Sequence, residues 1–282
     1  MQIDWKRVQT LIQLAIEEDL GSGDATSLSI IPPDSETKAI LICNEECVCA
    51  GLPVAEKVFK KLNKNIIFTP LVKEGQLCKK KTILAKIAGK AIPILSAERT
   101  ALNFLQRLCG IATVSHRYAM AVKGTKTKIL DTRKTTPGWR NLEKYAVAVG
   151  GSSNHRIGLY DRIMIKDNHR TLASALYKCA IKDAVMKARK KFPQLEVEVE
   201  ADTLKDVKDA VDAKADYILL DNMDINTIKK AVKIINGKAK IEVSGGITFS
   251  KLAKIAKTGV DFISCGALTH SVKAIDISME LQ

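Results

Sequence analysis

The chain has no apolar run approaching the eighteen or more residues of a membrane span, and its mean hydropathy is close to zero. A membrane protein is therefore not expected. Aromatic residues are only 5% of the 282, and there is no RNA-binding aromatic signature, basic tail or recognition-helix motif. Nucleic acid is thus a poor candidate partner despite a formal charge of +14. A secretory leader is also missing: the N-terminus "MQIDWKRVQTLIQLAIEEDL" is amphipathic and carries acidic residues, so a cytoplasmic protein is expected. The seven cysteines, at 43, 47, 49, 78, 109, 179 and 265, are odd in number and scattered, as reduced cytosolic thiols are. The group Cys43, Cys47, Cys49 matches no common zinc or iron–sulfur spacing and no second ligand pair follows it, so these read as buried strand thiols.

What is present divides into two patterns. Trp5, Val8, Leu11, Ile12, Ala15 and Ile16 fall at helical spacing until "LGSGDATS" stops the helix. The strand-like runs "KAILIC", "IIFTPLV", "TILAKIAG" and "AIPIL" follow, giving a small α+β unit. A second helical pattern starts at Ser96, with Arg99 in the capping-box-like "SAER", and helical residues resume after Thr113. From about residue 126 the runs "KIL", "RIMI", "LEVEVE", "DYILL", "KIEVS" and "DFISC" alternate with helical patterns, which predicts parallel strands joined by crossover helices. These runs end at Asp131, Lys166, Glu200, Asp221, Ser244 and Gly266, 21 to 35 residues apart, each gap long enough for one βα unit. No Gly-rich turn follows the first of them, which disfavours a doubly wound sheet. Polar residues at strand ends fit the active-site face of an α/β barrel, and roughly 150 residues are too few for the usual ~250 of eight strands. An incomplete barrel of six or seven strands is expected. The tail "KAIDISMEL" alternates as a half-buried strand and is expected to return to the N-terminal sheet.

The segments "DTRKTTPGWR", "GGSSNHR" and "IKDNH" crowd Arg133, Lys134, Arg140, His155, Arg156 and Lys166 into a short stretch. Like charges so placed need anions. In "LEVEVEA", Glu196, Glu198 and Glu200 share one strand face; pointed into the barrel, they would be partnered by Lys166, Lys134 and Arg133. The remaining positive charge describes an anion site, because arginine forks fit carboxylates and phosphates. The turns "SGG" at 244–246 and "CGA" at 265–267 follow the last two strands, where barrels commonly hold a phosphate on backbone N–H groups. Glu200 and Asp221 suit Mg²⁺ or sugar hydroxyls, or else form an internal ion-pair network. His155 and His169 are acid–base groups, anion donors, or structural. The lysines of "VMKARKK" and "IKKAVKI" read as a solvated surface. Two rival classes are a barrel aldolase with Lys166 or Lys134 as Schiff base, and a non-catalytic phosphate-ligand sensor or nucleic-acid binder suggested by charge alone.

The strings "EEDLGSGDATS", "ERTALNFLQRLCGIAT", "DTRKTTPGWRNLEKYAVAVGGSSNHRIGLYDRIMIKDNH", "EVEAD", "LLDN", "SGGI" and "GALTHS" resemble the quinolinate phosphoribosyltransferases, or carboxylating nicotinate-nucleotide pyrophosphorylases, over nearly the whole chain. Trp139, Ser152 and Cys109 depart from the family pattern, where leucine, glycine and serine are usual. The resemblance implies an N-terminal open-faced α/β sandwich over residues 1–112, with 271–282 returning to it, and a catalytic α/β barrel over 113–270. It implies transfer of phosphoribose from phosphoribosyl pyrophosphate to quinolinate, followed by decarboxylation to nicotinate mononucleotide in NAD biosynthesis, with Mg²⁺ required. It implies a homodimer or higher homo-oligomer with shared sites, in which Arg99 reaches the neighbouring subunit's quinolinate beside Arg133, Lys134, His155 and Arg156. Lys134, Lys166, Glu200, Asp221, Ser244, Gly245, Gly266 and His270 would bind phosphoribosyl pyrophosphate, with Mg²⁺ near Glu200 and Asp221, and Lys134, Glu200 and Asp221 would be catalytic. Intact "NHR" and "IKDNH" argue against the molybdenum-transport-associated relatives of the same fold.

Overall fold

The strand Glu36–Cys43 (β1) is solvent-facing at its start and continuously buried from Ala39 to Cys43, as a strand covered on both faces is. The computed structural model describes residues 2–174 and 180–282; Cys179 lies outside the described residues. The chain divides into two compact units, the first made of Met1–Arg117, Thr135–Gly151 and Ala267–Gln282, the second of Tyr118–Lys134 and Ser152–Gly266.

The first unit contains β1, a ribbon of Cys47–Val48 (β2) and Leu77–Cys78 (β4), and the strands Ile67–Pro70 (β3) and Ile83–Lys90 (β5). The C-terminal strand Ile277–Leu281, β12 in chain order, pairs antiparallel with β1, Cys43 opposite Ile277 and Ala39 opposite Leu281, and completes the sheet order β12-β1-β5-β3. Helix Trp5–Leu20 buries Val8, Ile12 and Ile16 at a spacing of four, and Leu52–Leu62 buries Val54, Ala55, Val58 and Phe59.

Two sequence expectations fail here. "AIPIL" is not a strand but opens the helix Ala91–Ala121, where Pro93 is harmless because first-turn N–H groups have no helical partner. The helix also runs unbroken through Gly110; a Cβ there would lie 2.3 Å from the Lys273 carbonyl, so the glycine is a close-approach site rather than a stop. Thr135–Gly151 packs within the first unit: Tyr145 donates to Glu74 at 2.5 Å, and Gly150 passes the Ala112 carbonyl too closely for a Cβ. Trp139, one of the departures from the family pattern, is accommodated by stacking on Phe104 at 4.7 Å.

The second unit holds Lys128–Leu130 (β6), Ile163–Ile165 (β7), Val197–Ala201 (β8), Tyr217–Asp221 (β9), Lys240–Ser244 (β10) and Phe262–Ser264 (β11). All pairings are parallel and the order is β6-β11-β10-β9-β8-β7. Chain neighbours pair throughout and the last strand returns to the first, which is barrel order left open between β6 and β7. Ser153 bridges to Leu130 on that open flank of β6. The crossovers carry helices with ordinary start signals; Thr203 and Asp206 form a reciprocal capping box before Leu204–Asp212, and Asp224 accepts the Asn226 and Thr227 N–H groups before Ile225–Ile235.

Candidate active site

Because the six strands are parallel, their C-terminal ends share one side of the sheet, and the polar residues expected there follow directly: Asp131 after β6, Lys166 after β7, Glu200 and Asp221 in the last turns of β8 and β9, Ser244 closing β10 and Gly266 after β11. The "SSNHR" segment is pinned along the open flank of β6. Ser153 exchanges main-chain hydrogen bonds with it, and the wholly buried Asp131 accepts the His155 N–H at 2.8 Å and the Asn154 side-chain amide at 2.7 Å.

That pinning sets the cations. Arg156 is buried and donates through Nη1 to the Arg162 carbonyl at 2.8 Å. Burial, and next to it the charge of Arg133, lower its pKa. Two guanidinium groups near enough to repel each other are a candidate receptor for carboxylate or phosphate. Lys134 and Lys166 are exposed. Lys166 lowers the Glu200 carboxyl, but burial outweighs it and the net shift of Glu200 is upward.

Glu200, Asp202 and Asp221 bring carboxylate oxygens within 4.8 Å of one another. Asp202 is paired to Arg170, and Asp221 accepts the Asn222 amide at 2.7 Å. An all-oxygen, all-anionic donor set of this kind suits a hard divalent cation. Beside it, Gly245 has φ +86° and a Cβ there would meet Asn222 Oδ1 at 2.3 Å, so the turn after β10 requires glycine on both counts.

The interior beneath differs from the sequence expectation. Glu196, which precedes β8, and Glu198 and Glu200 within it do not act alike. Glu196 is exposed, Glu200 is half-buried, and only Glu198 is fully enclosed. Glu198 has His155 3.4 Å away and Arg162 3.5 Å away. A second enclosed carboxylate, Glu242 of β10, lies 3.3 Å from the same His155 Nε2 and accepts the Ser264 hydroxyl. Burial opposes the imidazolium, yet hydrogen bonds to the two glutamates raise His155 to about 9. Against protonation stands the Arg156 N–H, donated into Nδ1 at 2.7 Å. A ring accepting that bond carries its proton on Nε2 alone, and this neutral tautomer is the one the geometry holds. Burial and the charge of Glu242 raise Glu198; for Glu242 burial acts in the same direction, but its hydrogen bonds to His155 and Ser264 outweigh it and the net shift is downward. Both ring nitrogens of His155 thus have partners inside the protein. His169, likewise, closes its loop by accepting the Lys166 N–H at 3.0 Å.

Arg99 is exposed on helix Ala91–Ala121, and His270 ends the short helix Ala267–His270; both belong to the first unit. The residues that sequence reasoning missed are Glu242, Arg162 and Asp202. Glu242 had one signal, a lone carboxylate in the centre of the apolar run "KIEVS". Among the described residues the six cysteines are all free and buried, and no helix is long and apolar enough to cross a membrane.

The likeness to known proteins extends beyond the site. Residues 24–109 match the N-terminal domain, and residues 111–280 the C-terminal domain, of quinolinate phosphoribosyl transferase. The chain is 42% identical over 265 residues to the probable nicotinate-nucleotide pyrophosphorylase (carboxylating) of Bacillus subtilis, covering 94% of this chain and 90% of that one. It is 39% identical over 290 residues to the chloroplastic nicotinate-nucleotide pyrophosphorylase (carboxylating) of Arabidopsis thaliana, covering 97% and 82%. The solved nicotinate-nucleotide pyrophosphorylase of Francisella tularensis superposes with a TM-score of 0.93 at 42% identity, over 100% of this chain and 98% of that one. With both halves matched in order and the whole fold superposing on a solved relative, this chain belongs to the quinolinate phosphoribosyltransferase family.

Proposed function

We propose that the protein transfers phosphoribose from phosphoribosyl pyrophosphate to the ring nitrogen of quinolinate and removes the adjacent carboxylate, giving nicotinate mononucleotide, pyrophosphate and CO₂ for NAD biosynthesis. The observation that carries this reading is the arginine pair Arg133 and Arg156, forced together at the same strand ends as the carboxylates Glu200 and Asp221. A dicarboxylate and a polyphosphate are what such a split of charge accommodates.

In this reading Arg133 and Arg156 hold the quinolinate carboxylates and orient the ring nitrogen toward the sugar. Lys134 and Lys166 neutralise the phosphates, and the backbone around Ser244, Gly245 and Gly266 takes the monophosphate. As pyrophosphate departs, positive charge develops at the sugar C1, and Glu200 and Asp221 stabilise it. The transferred pyridine nitrogen is then cationic and stabilises the electron pair left on the adjacent ring carbon as CO₂ leaves. Lys134 is our first choice to deliver the proton that replaces the carboxylate. Glu200 and Asp221 would also hold Mg²⁺, which when bound neutralises charge on the pyrophosphate.

Exposed Arg99 completes the site of a second copy in a homodimer, and the free thiols fit a cytoplasmic enzyme. Turnover tests the central claim: incubation with quinolinate, phosphoribosyl pyrophosphate and Mg²⁺ is expected to release CO₂ and nicotinate mononucleotide, and binding without release would overturn it. Subunit mixing tests the shared site. Arg99→Ala and Lys134→Ala should each be nearly inactive, whereas exchanged mixtures should recover about a quarter of wild-type sites by two-fold symmetry. Exchange without recovery would remove Arg99 from the site.

A further inference from the structure

Two wholly enclosed glutamates are an expensive way to fill a barrel interior. Replacing buried ion pairs by apolar side chains is often neutral or stabilising, so stability alone does not account for Glu198 and Glu242. Each also keeps one buried oxygen, Glu198 Oε1 and Glu242 Oε2, outside any ordinary hydrogen bond to another side chain or the backbone. Their remaining oxygens converge on a single atom, His155 Nε2, at 3.4 and 3.3 Å.

The far side of that imidazole carries the consequence. With its proton drawn to Nε2, the ring presents Nδ1 as an acceptor, and the group it accepts is the main-chain N–H of Arg156 at 2.7 Å. Asp131 holds the preceding N–H, that of His155, at 2.8 Å, so the backbone entering Arg156 is fixed at two successive amides. A second route joins the same residues: Glu198 is 3.5 Å from Arg162 Nη1, and the Arg162 carbonyl accepts Arg156 Nη1 at 2.8 Å. Arg162 is itself held flat over the Tyr217 ring at 4.0 Å. Arg156 needs such support because neighbouring Arg133 repels it. A guanidinium left to relax would move away from its like-charged neighbour, and the receptor for a planar acid would open.

We propose that Glu242 and Glu198 are positioning residues for the acid substrate: through His155 and Arg162 they lock Arg156 beside Arg133 before quinolinate arrives. The proposal rests on the reading of the site as a quinolinate site. It places specificity for the acid in the barrel interior, on side chains that never touch it. The amide-to-imidazole bond, rather than a contact to the substrate, becomes the task of His155.

The test compares Glu242→Leu, which removes the acceptor, with Glu242→Gln, which keeps an oxygen for Ser264 and His155. Steady-state kinetics with each substrate varied are expected to show a quinolinate KM raised roughly 5- to 100-fold in Glu242→Leu, the range for a buried group left unpaired. The KM for phosphoribosyl pyrophosphate should stay within about twofold, and Glu242→Gln should restore most of the quinolinate affinity. Equal rises in both KM values, or no change in either for a folded variant, would overturn the proposal. Should Glu242→Leu not fold, the wild-type protein still decides. Long-range proton–nitrogen NMR of the imidazoles, assigned with His155→Gln, is expected to show His155 protonated at Nε2 and bare at Nδ1. Protonation at Nδ1 would overturn the lock. A wild-type protein that shows the expected tautomer but no turnover would instead defeat the functional reading and leave the lock standing.

Discussion

The two ends of the barrel strands are both charged, and they arrange that charge in opposite ways. At the N-terminal end each acid has cations and amides assigned to it. Asp216 accepts the Val197 N–H at 2.8 Å and pairs with Arg189 at 2.9 Å; Asp261 accepts the Ile241 N–H at 2.9 Å and pairs with Lys126 at 3.1 Å. At the C-terminal end like stands against like, Arg133 by Arg156 and Glu200 by Asp221. A cavity of about 640 Å³, lined by Lys126, Asp216, Tyr217, Lys240 and Asp261 among others, sits at the N-terminal end. Charge that the fold itself pairs contributes to stability, whereas like charges brought close together mark a candidate functional site.

The largest effect expected from breaking that contrast is at Glu200. Glu200→Gln should lower kcat by ~10² to 10³, as loss of one preorganised electrostatic group does. It should do so without loss of thermal stability. Burial, joined by Asp221 and Asp167, raises the folded-state pKa of Glu200 above its unfolded value. The stability associated with the protonated form is then present below the unfolded pKa and lost as pH rises through the folded one. Wild type carries that penalty at neutral pH and the glutamine variant does not. Melting curves should show the variant's Tm equal to wild type in acid and equal or higher at pH 7; a clear fall at pH 7 would give Glu200 a structural role.

Next in size is Arg133→Lys, which keeps the charge and loses the planar fork. Quinolinate affinity should fall about tenfold, a typical value for a charge-assisted hydrogen bond, while affinity for phosphoribosyl pyrophosphate barely moves. Calorimetric titration with each ligand separates the two, and matched losses would deny Arg133 its selectivity. The place of this arginine just after a strand end was legible without coordinates, because the spacing of strand ends follows the βα repeat that local pattern records, whereas its role came from the family resemblance. The same pattern misjudged "AIPIL", since a short apolar run has no period of its own and the helix that absorbs it is decided further along. It also treated Glu196, Glu198 and Glu200 as equals. Alternation fixes which face a side chain takes, but depth along the barrel decides which carboxylate is enclosed, and depth depends on neighbouring strands. Glu242 was obscured for the same reason, its partner His155 being 87 positions earlier in the sequence.

At the N-terminal end the expected signs reverse. Asp261→Ala leaves the buried Ile241 N–H without its acceptor and should cost about 1–3 kcal/mol in denaturant unfolding, with kcat and both KM values unchanged. Lys126→Met probes the other half of the same cluster and should do least. Lys126 is 60% exposed on its side chain, so water and salt screen its attraction to Asp261, and holding a long side chain in one geometry offsets part of what remains. Asp261 also keeps Lys240 4.0 Å away as a second cation. Unfolding free energy should therefore shift by no more than about 0.5 kcal/mol, shrinking further in added salt, and activity should not change. A loss of activity from so small a change, with the fold intact, would mean that the 640 Å³ cavity communicates with the catalytic face, and that paired charge at this end does more than hold the strands in place.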